Sequence, residues 1–229
     1  MWCVVMLLFG GCTGRPGTAE GGVGVREETF VCAGDGDSIG ASFFWPSAGT
    51  ASLTTAVVAV GAQRWNRYGD LPGQPWGHYR DIALAVAGRG AAVVLFDKGG
   101  TGVTGGPPAT FDARVREVLQ VLSCVRTRPE VGSIVLVGHS QGAAVVAAAA
   151  VRNPPLRLVL LAPSAGVSTD VGIPVTVIQP ATEATPALRP ILVGGVNHLF
   201  LPEPATAGTS HVSAEALEQI GDAVLGVSR

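Results

Sequence analysis

Short, continuously apolar runs alternating with helix-forming stretches leave this chain few folds to choose from. Thr54 to Gly61 (TTAVVAVG), Ala91 to Phe96 (AAVVLF), Ser133 to Val137 (SIVLV) and Leu156 to Leu161 lack the apolar–polar alternation of a half-exposed strand, so each is expected to be covered on both faces. Between them lie helical stretches. Trp76 to Ala87 ends at Gly88 and Gly90, and Phe111 to Arg126 places Val115, Val118, Leu119 and Leu122 on one face before Pro129. Gln141 to Val151 is rich in alanine, and Ser213 to Val227 closes the series. Glu28 to Ala33 and Ile39 to Trp45, separated by Gly34 to Asp37, read as a hairpin; Ile173 to Ile178 and Pro190 to Gly194 read as further strands. Strand, helix and strand in this order predict an α/β fold: a mostly parallel central sheet with helices on both faces.

Charge narrows the function classes. Lys and Arg number 15 against 17 Asp and Glu, a formal net charge of -2, so no surplus of positive charge is on hand to neutralise phosphates and nucleic acid is not an expected partner. Apolar residues make up 47% of the 229-residue chain and charged ones 14%, which excludes a disordered or coiled-coil protein. No apolar run reaches the roughly 18–20 residues that cross a bilayer.

Residues 1–26 read as a leader and tether, residues 27–229 as the folded domain. Met1 to Cys12 is apolar throughout and gives way to a Gly- and Pro-containing stretch, as in a signal peptide followed by a flexible segment. Gly10, Gly11 and Cys12 resemble a lipoprotein processing site, which implies lipidation of Cys12, export, and a membrane association limited to that anchor; the alternative is a cytoplasmic protein. The basic residues that usually open such a leader are missing, and Phe9 stands where leucine is usual. In the body, Cys32 and Cys124 are too few for a disulfide framework and are expected to be small core residues.

The chemistry concentrates at Gly138-His139-Ser140-Gln141-Gly142, a G-x-S-x-G motif at the junction of the SIVLV strand and the alanine-rich helix. In that setting the turn is so tight that a side chain at either glycine meets backbone, and the serine is thrust above the sheet edge. The chain here resembles the α/β-hydrolase superfamily, closest to its lidless serine-esterase and dienelactone-hydrolase-like branch, which has relatives among peptidases. The likeness spans nearly everything from Glu27 onward and rests on Val58 to Asp70, Leu95 to Gly102, the elbow, and Val196 to Phe200. Two departures stand out: Asp97-Lys98-Gly99-Gly100 where relatives often read Asp-Lys-Arg-Gly, and Pro180 to Arg189 where they usually carry a helix.

The resemblance implies a serine hydrolase acting on a small-molecule ester, with peptidase or acyltransferase chemistry, or a degenerate fold that only binds, as alternatives. Ser140 is then the nucleophile, and a histidine must take its proton. Of four histidines, His198 follows the final strand and matches the family's order. His139 is expected to be a packing residue, His78 lies at a helix start, and His211 is expected to be exposed near the last helix. The acid that orients the base falls on Glu183, with Asp170 as the fallback. Backbone N–H groups of Ala62 and Gln141 are the expected oxyanion donors. Arg67 and Asp70 are expected to tie down the loop after the TTAVVAVG strand, where Trp65, Tyr68 and Trp76 are candidates for the substrate pocket. Asp97 is expected to bond loop amides rather than a metal, and neither metal nor cofactor is required. Only Pro163 to Gly172 fills the interval where many relatives insert a lid, which implies an open site.

Overall fold

The computed structural model describes residues 24–34, 38–48, 52–164 and 166–227; residues 1–23 of the leader and tether, with Cys12, and residues 35–37 between the first two strands lie outside them, while Val25 and Arg26 already belong to the first strand. Eight strands form one sheet: β1 (Val25–Cys32), β2 (Ile39–Pro46), β3 (Leu53–Ala59), β4 (Ala92–Phe96), β5 (Val131–His139), β6 (Arg157–Leu161), β7 (Val175–Pro180) and β8 (Ile191–Val193). Their spatial order is β1-β2-β4-β3-β5-β6-β7-β8. The first two joints, β1 to β2 and β2 to β4, are antiparallel, and every later one is parallel. The hairpin and the buried parallel strands expected from the sequence are both present.

Among the described residues four α-helices cover the sheet: α1 (His78–Gly88), α2 (Phe111–Val125), α3 (Gln141–Arg152) and α4 (Ala214–Leu225). Their ends follow local chemistry. Thr110 Oγ1 caps α2 by accepting from Ala113 N–H, and Ser213 Oγ caps α4 by accepting from Ala216 N–H. Gly226, at φ 74°, ends α4 in the left-handed conformation that a side chain would resist.

The central strands divide their side chains between two cores. Val58, Val60, Val135 and Val137 face α1 and α4, while Val57, Ala59, Ile134 and Leu136 face α2 and α3. The period-2 geometry of a strand buried on both faces therefore explains the unbroken apolar runs. Each fully buried leucine of the second core, such as Leu136 or Leu160, contributes about 1.5–3 kcal/mol relative to exposure.

The structure corrects one expectation. Cys32 and Cys124 are joined in a disulfide, with Cα atoms 5.7 Å apart and a sequence separation of 92. Cys32 is also buried at the end of β1, so it is a core residue and a cross-link at once. Nothing in the composition of either segment announces that the end of β1 meets the last turns of α2; strand order alone brings them together. Closing a loop of about 100 residues restrains the unfolded chain by about 4–5 kcal/mol in the chain-entropy account, and measured values are typically about 2–4. Reduction under native conditions, or the Cys32→Ala/Cys124→Ala double variant, is expected to lower the melting temperature by roughly 5–15 °C. Calorimetry with and without reductant checks this, and an unchanged melting temperature would remove the bridge from the account of stability.

Candidate active site

The turn from β5 into α3 is built by its glycines. A Cβ on Gly138 would lie 2.5 Å from Gly142 O, and one on Gly142 would lie 2.2 Å from Ala59 O, so both positions exclude side chains. Ser140 between them sits at φ 53° and ψ −122°, a conformation that costs about 1–3 kcal/mol and persists only where its surroundings impose it. Two hydrogen bonds do so: Ser140 N–H donates to Leu161 O at 2.8 Å, and Ser140 O accepts from Ala143 N–H at 3.0 Å. The end of β3 passes close by, since a Cβ on Gly61 would be 3.4 Å from the Ser140 Cβ.

His198 lies in the loop after β8. Asn197 knots that loop: its side-chain oxygen accepts from Leu199 and Leu201 N–H groups at 2.9 and 3.2 Å, while Val196, Phe200 and Leu201 are buried and anchor it. His198 Nδ1 is 2.7 Å from Glu183 Oε2. A carboxylate accepts only, so Nδ1 carries a proton, and in the neutral imidazole Nε2 is the nitrogen with the free lone pair. Glu183 ends a single 3₁₀ turn, Ala181–Glu183, directly after β7. Buried Gln179 braces this turn, donating to Glu183 O at 3.1 Å and accepting from Thr185 N–H at 3.0 Å. Asp170, by contrast, is exposed in the β6–β7 loop, where its own N–H donates to Ser168 Oγ. The structure thus brings Glu183 and His198 together and leaves Asp170 exposed in the β6–β7 loop. The Pro180 to Arg189 stretch holds a second 3₁₀ turn, Pro186–Leu188.

His139 does more than fill space, and here sequence reasoning missed a network. The Tyr79 hydroxyl is 2.7 Å from His139 Nδ1, His139 Nε2 is 2.9 Å from His198 O, and Gly61 N–H donates to the Tyr79 oxygen at 2.9 Å. A carbonyl can only accept, so His139 Nε2 donates and Nδ1 accepts from Tyr79. A continuous relay thus runs from Gly61 N–H through the Tyr79 hydroxyl and the His139 ring to the His198 carbonyl. Burial pushes His139 down to about 4 and raises Tyr79, so both stay neutral around neutral pH. His78 is likewise buried, its pKa held well below the ordinary value by that burial, and its ring meets Trp65 edge-on and Tyr79 at a tilt. His211, as expected, is exposed; its Nδ1 meets Asp81 Oδ2 at 3.1 Å.

The flanking loops are tied as anticipated, and more tightly. Asp97 is fully buried and accepts from Arg67 N–H at 2.7 Å, from the Arg67 guanidinium at 2.5 Å and from Val103 N–H at 3.1 Å. Asp70 accepts from Gly77 N–H at 2.9 Å. Trp65 is buried, and the Tyr68 hydroxyl donates to Glu27 while meeting Ser42; both are committed to packing and loop bonds, and Trp76 packs half-buried against the same core. Ala62 and Gln141 are exposed beside Ser140. As first residue of α3, Gln141 has no intrahelical acceptor for its N–H. Lys98, from the departing Asp97-Lys98-Gly99-Gly100 segment, and Arg114, neither given a role by the sequence, are buried beneath this corner. Burial, aided by Arg114 and opposed by Glu117, brings Lys98 down to about 7. Among the described residues no group of three or more His, Cys, Asp or Glu side chains could hold a metal.

Comparison with known proteins agrees with this architecture. No curated protein sequence matches the chain. Among solved structures, a lidless α/β serine hydrolase from Xanthomonas campestris superposes with a TM-score of 0.63 at 20% identity, covering 88% of this chain and 93% of that one. Dienelactone hydrolase from Anabaena variabilis gives 0.68 at 13% identity, covering 90% and 99%. A Butyrivibrio proteoclasticus protein solved with ferulic acid bound gives 0.63 at 17%, covering 85% and 96%. At these identities the likeness speaks for the fold: an α/β-hydrolase without a lid. The family model described as serine aminopeptidase, S33, matches residues 73–203, more than half of the chain, and the chain therefore belongs to that family of α/β hydrolases.

Proposed function

We propose that this hydrolase cleaves small acyl esters through an acyl-enzyme intermediate on Ser140. Ser140 Oγ attacks the ester carbonyl carbon as His198 Nε2 takes its proton, and the resulting oxyanion is held by the Ala62 and Gln141 N–H groups. The tetrahedral intermediate collapses and Nε2 returns the proton to the leaving alkoxide; water then attacks the acyl-serine with Nε2 again as base, and the second tetrahedral intermediate breaks its bond to Ser140 Oγ, which takes the proton back from Nε2 as the carboxylic acid leaves. Glu183 holds the imidazole in the tautomer that frees Nε2 and stabilises the imidazolium. The observation that carries this reading is the 2.7 Å contact between His198 Nδ1 and Glu183, made by a histidine whose own carbonyl is bonded to the residue before Ser140. Residues 162–174 between β6 and β7 form no helix among the described residues, which favours short or varied soluble esters over long lipid chains. The test is hydrolysis of a short-chain p-nitrophenyl ester that depends on Ser140. A folded protein with no such turnover would instead be a binding module.

The family match to serine aminopeptidases favours a second reading, peptide hydrolysis by the same groups with an amine as leaving group. Comparing p-nitrophenyl esters with aminoacyl p-nitroanilides separates the two, since a peptidase retains a large share of its kcat/KM on the anilide.

We further propose that the protein works outside the cytoplasm, anchored by a lipid on Cys12. The apolar leader supports this, and so does the Cys32–Cys124 bridge, because disulfides persist in oxidising compartments. Mass spectrometry of the native N-terminus is expected to find a lipidated Cys12; an unmodified Met1 in native soluble protein would refute export.

A further inference from the structure

We propose that Lys98 and Arg114 are positioning residues that aim the two oxyanion donors, Ala62 and Gln141, from beneath the site; the proposal rests on the acyl-transfer reading above. Neither has a role in the proton transfers. Both are nevertheless 6% exposed, and burying a cation is unfavourable unless fixed partners compensate. Their partners are specific. Lys98 Nζ donates to Gly61 O and to Gln63 O. Arg114 donates to Val60 O through one nitrogen and to Gln141 Oε1, at 2.5 Å, through another.

Planarity of the trans peptide turns these contacts into aim. Within one peptide unit the C=O and the following N–H point in opposite directions. The Val60–Gly61 unit displays the rule: its C=O is held by Arg114 while its N–H reaches the Tyr79 hydroxyl on the other side. In the next unit, Lys98 holds the Gly61 C=O, so the Ala62 N–H must point away from the ammonium, toward the exposed side where Ala62 lies. Gln63 O on the same ammonium fixes the far flank of Ala62. On the other side of the site, the Arg114 bond to the Gln141 side chain steadies the residue whose N–H heads α3. One buried pair of cations therefore sets both donors.

Charge adds to geometry. An ammonium at the carbonyl end of the Gly61–Ala62 peptide dipole reinforces the positive N–H end, which faces the negative charge that develops in the transition state. The groups facing Lys98 are Arg114 and Glu117 from α2, and burial leaves its pKa at about 7. On the alkaline side Lys98 therefore loses its charge, and kcat is expected to decline there, whereas an arginine keeps its charge.

The experiment uses the wild-type protein, Lys98→Met and Lys98→Arg, with a short-chain p-nitrophenyl ester and an alkyl trifluoromethyl ketone, which forms a tetrahedral oxyanion on a serine. Lys98→Met is expected to lower kcat about 10²-fold, the scale of one lost oxyanion donor, with KM changed less than about 3-fold. Ketone affinity should fall by a similar factor, while binding of the product carboxylate stays put. Lys98→Arg should recover part of the rate and move the alkaline decline beyond pH 9. Wild-type turnover with Lys98→Met within about 3-fold of wild-type kcat overturns the positioning role alone. No Ser140-dependent turnover in the wild type overturns the acyl-transfer reading and this proposal with it. Should Lys98→Met fail to fold, the wild-type and Lys98→Arg profiles decide: identical alkaline behaviour refutes the proposal, and a limb moved by the arginine supports it.

Discussion

Ser140→Ala is expected to abolish fluorophosphonate labelling and to cut ester turnover by on the order of 10⁴–10⁶, while melting at least as high as the wild type. The size of the loss follows from the role: without the hydroxyl there is no acyl-enzyme, and His198 has no serine nucleophile to activate. The oxyanion donors and binding contacts remain, so residual hydrolysis by directly activated water is expected to survive at a low level. Stability should not fall, because Ser140 supplies no helix cap through its side chain. Its φ of 53° strains alanine as it strains serine. Intact-mass spectrometry after labelling reads the result directly. Labelling that persists in Ser140→Ala would place the nucleophile elsewhere and sink the proposed reaction.

Glu183→Gln is expected to lose about 10²–10⁴ in kcat with the fold intact, and Asp170→Asn to lose little. The amide of glutamine can donate to Nδ1 as well as accept from it, so the imidazole is no longer held with its proton on Nδ1, and Nε2 is no longer reliably the free base. Glu183 and His198 are both part-exposed, with side-chain exposures of 36% and 44%, which sets the expectation below the loss from a fully buried acid, since solvent screens such a pair. The surrounding turn should survive, because Gln179 holds it through the Glu183 carbonyl rather than the carboxylate. Stopped-flow or steady-state rates on the two variants check the assignment. A large loss in Asp170→Asn with a silent Glu183→Gln would move the acid to Asp170. Full activity in both would require a different acid altogether.

How far the residues alone could lead is clearest at particular positions. Gly138 and Gly142 announce the elbow because the steric demand that selects them acts within five residues, and a window that short is legible without a fold. Val115, Val118 and Leu122 likewise declare the buried face of α2 by spacing, and the apolar runs of β3, β4 and β5 declare a sheet covered twice. His198 and Glu183 could be reached by family resemblance in chain order. None of this extends to contacts that depend on which strand lies beside which. Cys32 meets Cys124 across 92 positions because β1 ends where α2 runs over the sheet. Lys98 reaches Gly61 because β4 lies next to β3, and Arg114 reaches both Val60 and Gln141 because α2 and α3 share a face. His139 looks like filler in sequence and becomes a neutral link between Tyr79 and His198 only when α1, the elbow and the final loop converge. Periodicity and tight-turn sterics are local and so are written in the residues that obey them; the partners of buried polar side chains are set by strand order and loop path, which only the folded chain decides.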